Sequence, residues 1–310
     1  MLVVTKERLY RVGDSPGEPK LILEQAGMVR VAQGTSLDVV AAVDGLITVL
    51  REAGQESVAT GLDEPIESLL IRSESPLELL IGTEGAHLFE LIDSGIRRVE
   101  SFDRLDCRGG WFTPWGGPPA IRSMAATADG TVYADIHVGS IMKSADWGRT
   151  WQPVTPTLNQ DVHHVATCIA APDRVYANTA KAVFVSHDRG RTWRDCGKGL
   201  GSRYGRCIAV GPDNPDLILA SVSDGPHGDD VHGQLFWSGD CGTSWRQVEG
   251  EFPRSTRQNI NTYHVAMLRG GRAYAAVGAD LYHSADSGQH WRKAWAAPDE
   301  VIMLAANWRA

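Results

Sequence analysis

Four side chains able to bind or activate a small molecule stand at matched places in this 310-residue chain: Arg122, His164, Arg206 and His264. Each opens a short apolar run, such as Ser123-Met124-Ala125-Ala126 after Arg122 and Cys207-Ile208-Ala209-Val210 after Arg206. A core strand has no need of Arg or His at its start, and an unpaired buried charge is costly. Guanidinium groups are flat forks that fit a carboxylate or phosphate. Imidazoles serve as general bases near neutral pH or as ligands for divalent metals. Arg122, His164, Arg206, His264 and Tyr204 are therefore the candidate catalytic residues. Arg30 and Glu67 take comparable places in earlier, less regular copies, and His163 adjoins His164.

The neighbouring loops extend this set. His137 and His232 fall in loops expected beside the same point. With His164 and His264 they form a candidate ligand set for a divalent transition metal. The loop from Asp103 to Pro119 carries Trp111, Phe112 and Trp115 between paired glycines and prolines. Trp111 and Trp115 either roof a pocket or plug a channel. The expected ligand is a small anionic or carbonyl-containing molecule, whose carbonyl a metal would polarise.

A repeat positions these groups. The pattern Ser-x-Asp-x-Gly-x-x-Trp starts at Ser144, Ser186, Ser238 and Ser284, at spacings of 42, 52 and 46 residues. Periods of this size belong to four-stranded propeller blades. Before the first box, Arg122–Thr127, a turn at Asp129-Gly130, Thr131–Ile136 and Ser140–Lys143 read as three strands, and the fourth leaves from Trp151. Gly at the fifth place allows a positive φ, and the Asp and Ser side chains can accept backbone N–H bonds. The Trp is an apolar wedge between sheets. The boxes join third to fourth strands, which puts them on the face opposite Arg122 and its counterparts. Each box serves its own blade, so the four carboxylates cannot converge.

The N-terminal half holds weaker copies. Ile66 to Phe102 keeps Asp93 and Gly95, and Val29 to Thr60 keeps Gly54 alone. Met1 to Leu23 reads as three strands without an inner one, which Val301–Ala305 supplies. The expected fold is all-β: a seven-bladed β-propeller of four-stranded antiparallel blades. It forms one domain over residues 1–310, closed by the C-terminal strand, which removes the open sheet edges. The alternative is six blades with Met1 to Leu23 as an appendage.

Composition narrows the partners. A formal net charge of −8 argues against a general nucleic-acid binder. No segment reaches the roughly 20 apolar residues of a membrane span. Met1-Leu2-Val3-Val4-Thr5-Lys6 lacks the pattern of an export signal, so a cytoplasmic location is expected. The five cysteines are scattered and never form Cys-x-x-Cys, which suits buried free thiols.

The four boxes resemble those of the Asp-box, or bacterial neuraminidase repeat (BNR), propellers. That group includes sialidases, sortilin-type receptors, some glucanases and photosystem assembly factors. The resemblance is strong from Arg122 to Trp291, closest to uncharacterised bacterial members, and specific for fold rather than activity. A sialidase-like glycoside hydrolase would imply three arginines on a carboxylate and a Tyr nucleophile supported by Glu, here Arg30, Arg122, Arg206, Tyr204 and Glu67. The Arg-Ile-Pro of sialidases is missing, since Arg11 is followed by Val12-Gly13. The assembly factors imply a third reading, a scaffold that binds a protein partner on a propeller face.

Overall fold

The computed structural model describes residues 1–13, 18–93, 95–154 and 157–307. Seven sheets form seven blades. Blade one takes its inner strand from the chain's end: Met303–Ala305 pairs with Leu2–Val4, followed outward by Arg8–Arg11 and Lys20–Glu24. The six-blade alternative is thereby excluded. Blades two to seven each run outward in chain order, and blade seven carries an added parallel strand, Glu249–Gly250.

The alternation of side chains within each strand builds the core. In blade one, Leu2, Val4 and Leu9 pack on Met28, Val31 and Val40 of blade two. Val3 and Tyr10, pointing the other way, pack on Ala266, Tyr274 and Leu281 of blade seven. A period of two sends successive residues to opposite faces, so each blade seals both neighbours. The core is thus distributed among the junctions between blades, one apolar cluster at each.

The boxes are hydrogen-bonded turns. In the first, Ser144 Oγ accepts from Gly148 N at 2.8 Å and donates to Asp146 Oδ1 at 2.7 Å. Asp146 Oδ1 accepts from Thr150 N at 2.8 Å, and Oδ2 from the Thr150 hydroxyl at 2.6 Å. The same bonds recur in the second and third boxes, and in the fourth the His290 ring takes the place of the hydroxyl. Positive φ falls on two places of each box, the expected Gly148 (88°) and also Trp147 before it (61°). The Trp151 indole donates back to Gly148 O at 2.9 Å, and the ring packs on Phe102 of the preceding blade.

These turns make the fold acid-sensitive. Burial opposes ionisation of Asp188, but the Thr192 hydroxyl and N–H and the Ser186 hydroxyl outweigh it and hold the carboxyl at about 2. Asp286 is held at about 2 by His290 and Ser284 against the same opposing burial. A carboxyl depressed on folding contributes stability that is present above its unfolded value and lost as pH falls through the folded one. The far-UV circular dichroism signal should therefore survive at pH 5 and be lost progressively between about pH 4 and pH 2. Asp188→Asn should flatten that dependence, and an unchanged acid profile in this variant would remove the box from the account.

Candidate functional site

Strand register separates the two faces. Ile121 pairs with Ile136 and Ile136 with Ser140, whereas Ala126, Val132 and Ser144 align at the box end. The start of the inner strand therefore lies at the face opposite the boxes. A cavity of about 340 Å3 opens there, lined by Arg30, Glu67, Arg122, Arg206, His264, Tyr263 and Ile302 among others. Five candidates spread over 234 residues of sequence, Arg30 to His264, thus share one cavity.

Each inner strand from blade two to blade six carries a register shift near its start: Met28/Arg30, Ile66/Ser68, Ile121/Met124, Val162/His164 and Gly205/Ile208. Such bulges re-aim side chains and free backbone groups from the ladder. Second-strand and neighbouring residues take up those groups. Ser123 N donates to Asp135 Oδ1 at 2.6 Å, Cys207 N to Ser221 Oγ at 2.8 Å and Ile208 N to His164 Nδ1 at 3.1 Å.

Arg30 is neutralised: its guanidinium holds the Glu67 carboxylate and carbonyl. Arg122 and Arg206 hold no carboxylate in this way, though Asp135 and Asp161 lie near enough to act on the charge of Arg122. Arg122 Nη2 donates to His137 Nε2 at 2.9 Å, while its Nη1 is buried without a partner. Arg206 Nη2 donates to Pro226 O at 3.0 Å, its plane lies 5.1 Å from the Tyr204 ring, and its Nε is buried without a partner. Among the described residues neither forms an ion pair within 4.0 Å. Burial, and then the charge of Arg206, lower the proton affinity of Arg122.

Beside this pair lies a compact polar cluster. His163, fully buried, sets its Nδ1 against Gly205 O and its Nε2 3.0 Å from Asp161 Oδ1 and 3.4 Å from the Tyr204 hydroxyl. His137 Nε2 lies 3.8 Å from the same Asp161 oxygen. Trp115 covers His137 with ring centres 4.8 Å apart, its own ring 57% exposed. Burial lowers the proton affinity of both imidazoles; Arg122 adds to this, and Asp161 opposes it without reversing the direction. Asp135, wholly buried, is raised by burial to about 7.

Several expectations need correction. The set His137, His164, His232 and His264 does not converge: the one His/Cys/Asp/Glu cluster among the described residues with metal-ligand spacing is His137, Asp161 and His163. His164 points elsewhere because the Val162/His164 bulge turns His163, not His164, toward the arginines. Its Nδ1 is taken by Ile208 N, its ring packs 5.0 Å from Tyr263, and burial depresses it to about 3, which leaves no free base there. His232 is exposed and paired with Asp224 at 2.9 Å. His264 lines the cavity, but its Nε2 is held by Ile302 O at 3.2 Å and burial takes it to about 4. Trp111 is not a pocket residue: it is buried in the core between blades three and four, against Phe102 and under Arg108. The sialidase arrangement of Tyr beside Glu is not formed, since Glu67 is engaged by Arg30 and the Tyr204 hydroxyl by His163. Asp161 was not foreseen. Its signal is the Asp-x-His spacing of Asp161 and His163, repeated by Asp135 and His137.

Fold and site together define a seven-bladed β-propeller with a cationic, histidine-bordered mouth. A sortilin (neurotensin receptor 3, Sortilin-Vps10) family model matches residues 139–261, less than half of the chain. No curated protein matches the sequence. Among solved structures, a GH74 xyloglucanase from Xanthomonas campestris is 14% identical with a TM-score of 0.63, over 85% of this chain and 44% of that one. The chain spans less than half the length of the two GH74 enzymes it resembles, 24% and 44%. YCF48 bound to D1 peptide is 17% identical with a TM-score of 0.58, over 86% of this chain and 81% of that one. The WD40 repeats of RRP9 are 12% identical with a TM-score of 0.62, over 100% of this chain and 89% of that one. At these identities the likeness is one of fold. Among the described residues no helix is long and apolar enough to cross a membrane.

Proposed function

We propose that this protein binds a small molecule through a carboxylate or phosphate held by Arg122 and Arg206 at the channel mouth. One observation carries the reading. Two guanidiniums from blades four and six line the same cavity, each with a buried N–H that has no partner. Like charges brought together with unsatisfied donors are a cost unless an anion completes them. A carboxylate or phosphate supplies paired acceptors for both forks. Tyr263, which lines the same cavity, offers a flat wall for a ring attached to that anion. Glu67 is already held by Arg30, so Glu300 at the rim is the carboxylate left to oppose an anionic ligand, against the two arginines that favour one.

Calorimetric titration with a panel of small carboxylates and phosphates tests this. Arg206→Ala should weaken the best ligand about 10- to 100-fold, the worth of a hydrogen bond to a charged group. A panel in which nothing binds, or equal affinity in wild type and Arg206→Ala, rejects the reading.

A further inference from the structure

We infer that His137 Nε2, Asp161 Oδ1 and His163 Nε2 form a binding site for one divalent transition-metal ion. The three atoms come from two blades: His137 follows the second strand of blade four, while Asp161 and His163 lie at the start of blade five's inner strand. All three lie within 4.8 Å of one another. His163 is 0% and His137 3% exposed, and Asp161 is half-buried.

A second observation points to a cation. His163 Nδ1 faces the Gly205 carbonyl. A carbonyl only accepts, so Nδ1 carries the hydrogen, and in the neutral ring Nε2 is a lone pair, with the Tyr204 hydroxyl 3.4 Å away. That lone pair faces the buried Asp161 Oδ1 at 3.0 Å. Two acceptors at this distance repel unless a cation lies between them. A metal bound by both rings and the carboxylate removes the conflict, and a carbonyl on the far nitrogen is a common way of orienting a metal-ligating histidine. Two imidazoles and one carboxylate suit Zn2+, Co2+ or Fe2+ rather than Mg2+ or Ca2+. Three protein ligands would leave coordination positions for water or a bound ligand.

Arg122 opposes this metal. Its Nη2 occupies the His137 Nε2 lone pair at 2.9 Å, and its charge repels any cation nearby. The arginine that the proposed anion site requires is therefore the one that weakens the metal site. Arg122→Ala should loosen anion binding and tighten metal binding, so the two proposals fail separately.

The test uses the full chain with any tag removed, stripped by chelation and titrated with Zn2+ and with Co2+. Calorimetry should give one equivalent, and Co2+ should develop visible d–d absorption. Asp161→Asn and His163→Gln should each weaken binding at least about 10-fold, by loss of a direct ligand. Arg122→Ala should strengthen it several-fold, and His232→Ala should leave it unchanged. Asp161→Asn keeps the side-chain shape, so it remains informative if His163→Gln does not fold. A folded wild type that binds neither metal overturns the site. So does binding that Asp161→Asn leaves intact, that His232→Ala abolishes, or that Arg122→Ala weakens.

Discussion

Gly205→Ala should lower the melting temperature by about 5–10 °C, the result of a loss near 3 kcal/mol. A Cβ on Gly205 would lie 1.6 Å from Asn178 Oδ1. Asn178 is fully buried and cannot step aside: its Nδ2 donates to Cys207 O at 2.7 Å and Ser221 O at 2.9 Å. Either the inner strand of blade six moves or those two bonds are lost, and each unmet buried group costs about 1–3 kcal/mol. The Gly205 backbone is not in the left-handed region, so the penalty is one of space. The same displacement shifts the carbonyl that orients His163, so metal binding should weaken along with stability. Gly109→Ala, with nothing within 4 Å of its added Cβ, is the control and should melt like wild type. Equal melting of the two variants would show that the strand relaxes around the methyl group.

A chain ending at Glu300 should not form a cooperative native state. The lost segment contains the inner strand of blade one, in which Ala305, Leu304 and Met303 pair with Leu2, Val3 and Val4. It also contains Val301, Met303 and Leu304, all buried. Burying each such side chain is worth about 1.5–3 kcal/mol, so the three together rival the whole net stability of an ordinary domain, about 5–15 kcal/mol. The truncation also exposes Leu2–Val4 as an apolar sheet edge, the usual template for aggregation. Near-UV circular dichroism should lose its fine structure and size-exclusion chromatography should show aggregates. A peptide of residues 301–310 added in trans should restore part of the native signal. A truncated chain that elutes as a compact species and melts with wild type would mean that the ring does not need its closing strand.

The blade order was legible because the box is local chemistry. Ser144, Asp146, Gly148 and Thr150 bond one another within four positions, so the residues that make the turn stand together in the sequence. Counting strands back from each box placed Arg30, Glu67, Arg122, Arg206 and His264 at equivalent starts, and they do meet at one cavity. The side-chain direction within those starts was not legible. A single-residue bulge at Val162/His164 exchanges the roles of His163 and His164, and no residue type at that point announces it. Trp111 and Trp115 are alike in sequence surroundings. One is buried against Phe102 and the other lies exposed over His137, because only the first reaches the junction of blades three and four.

Repeat spacing and turn residues, both local, determined the strands, the boxes and the ring. Contacts between blades decided the site. His163 meets Gly205 across 42 positions, and its carbonyl meets Thr262 across 99. Such meetings depend on how bulged strands pack around a common channel. Burial there also decides which imidazoles keep a free lone pair, a quantity set by neighbours distant in sequence.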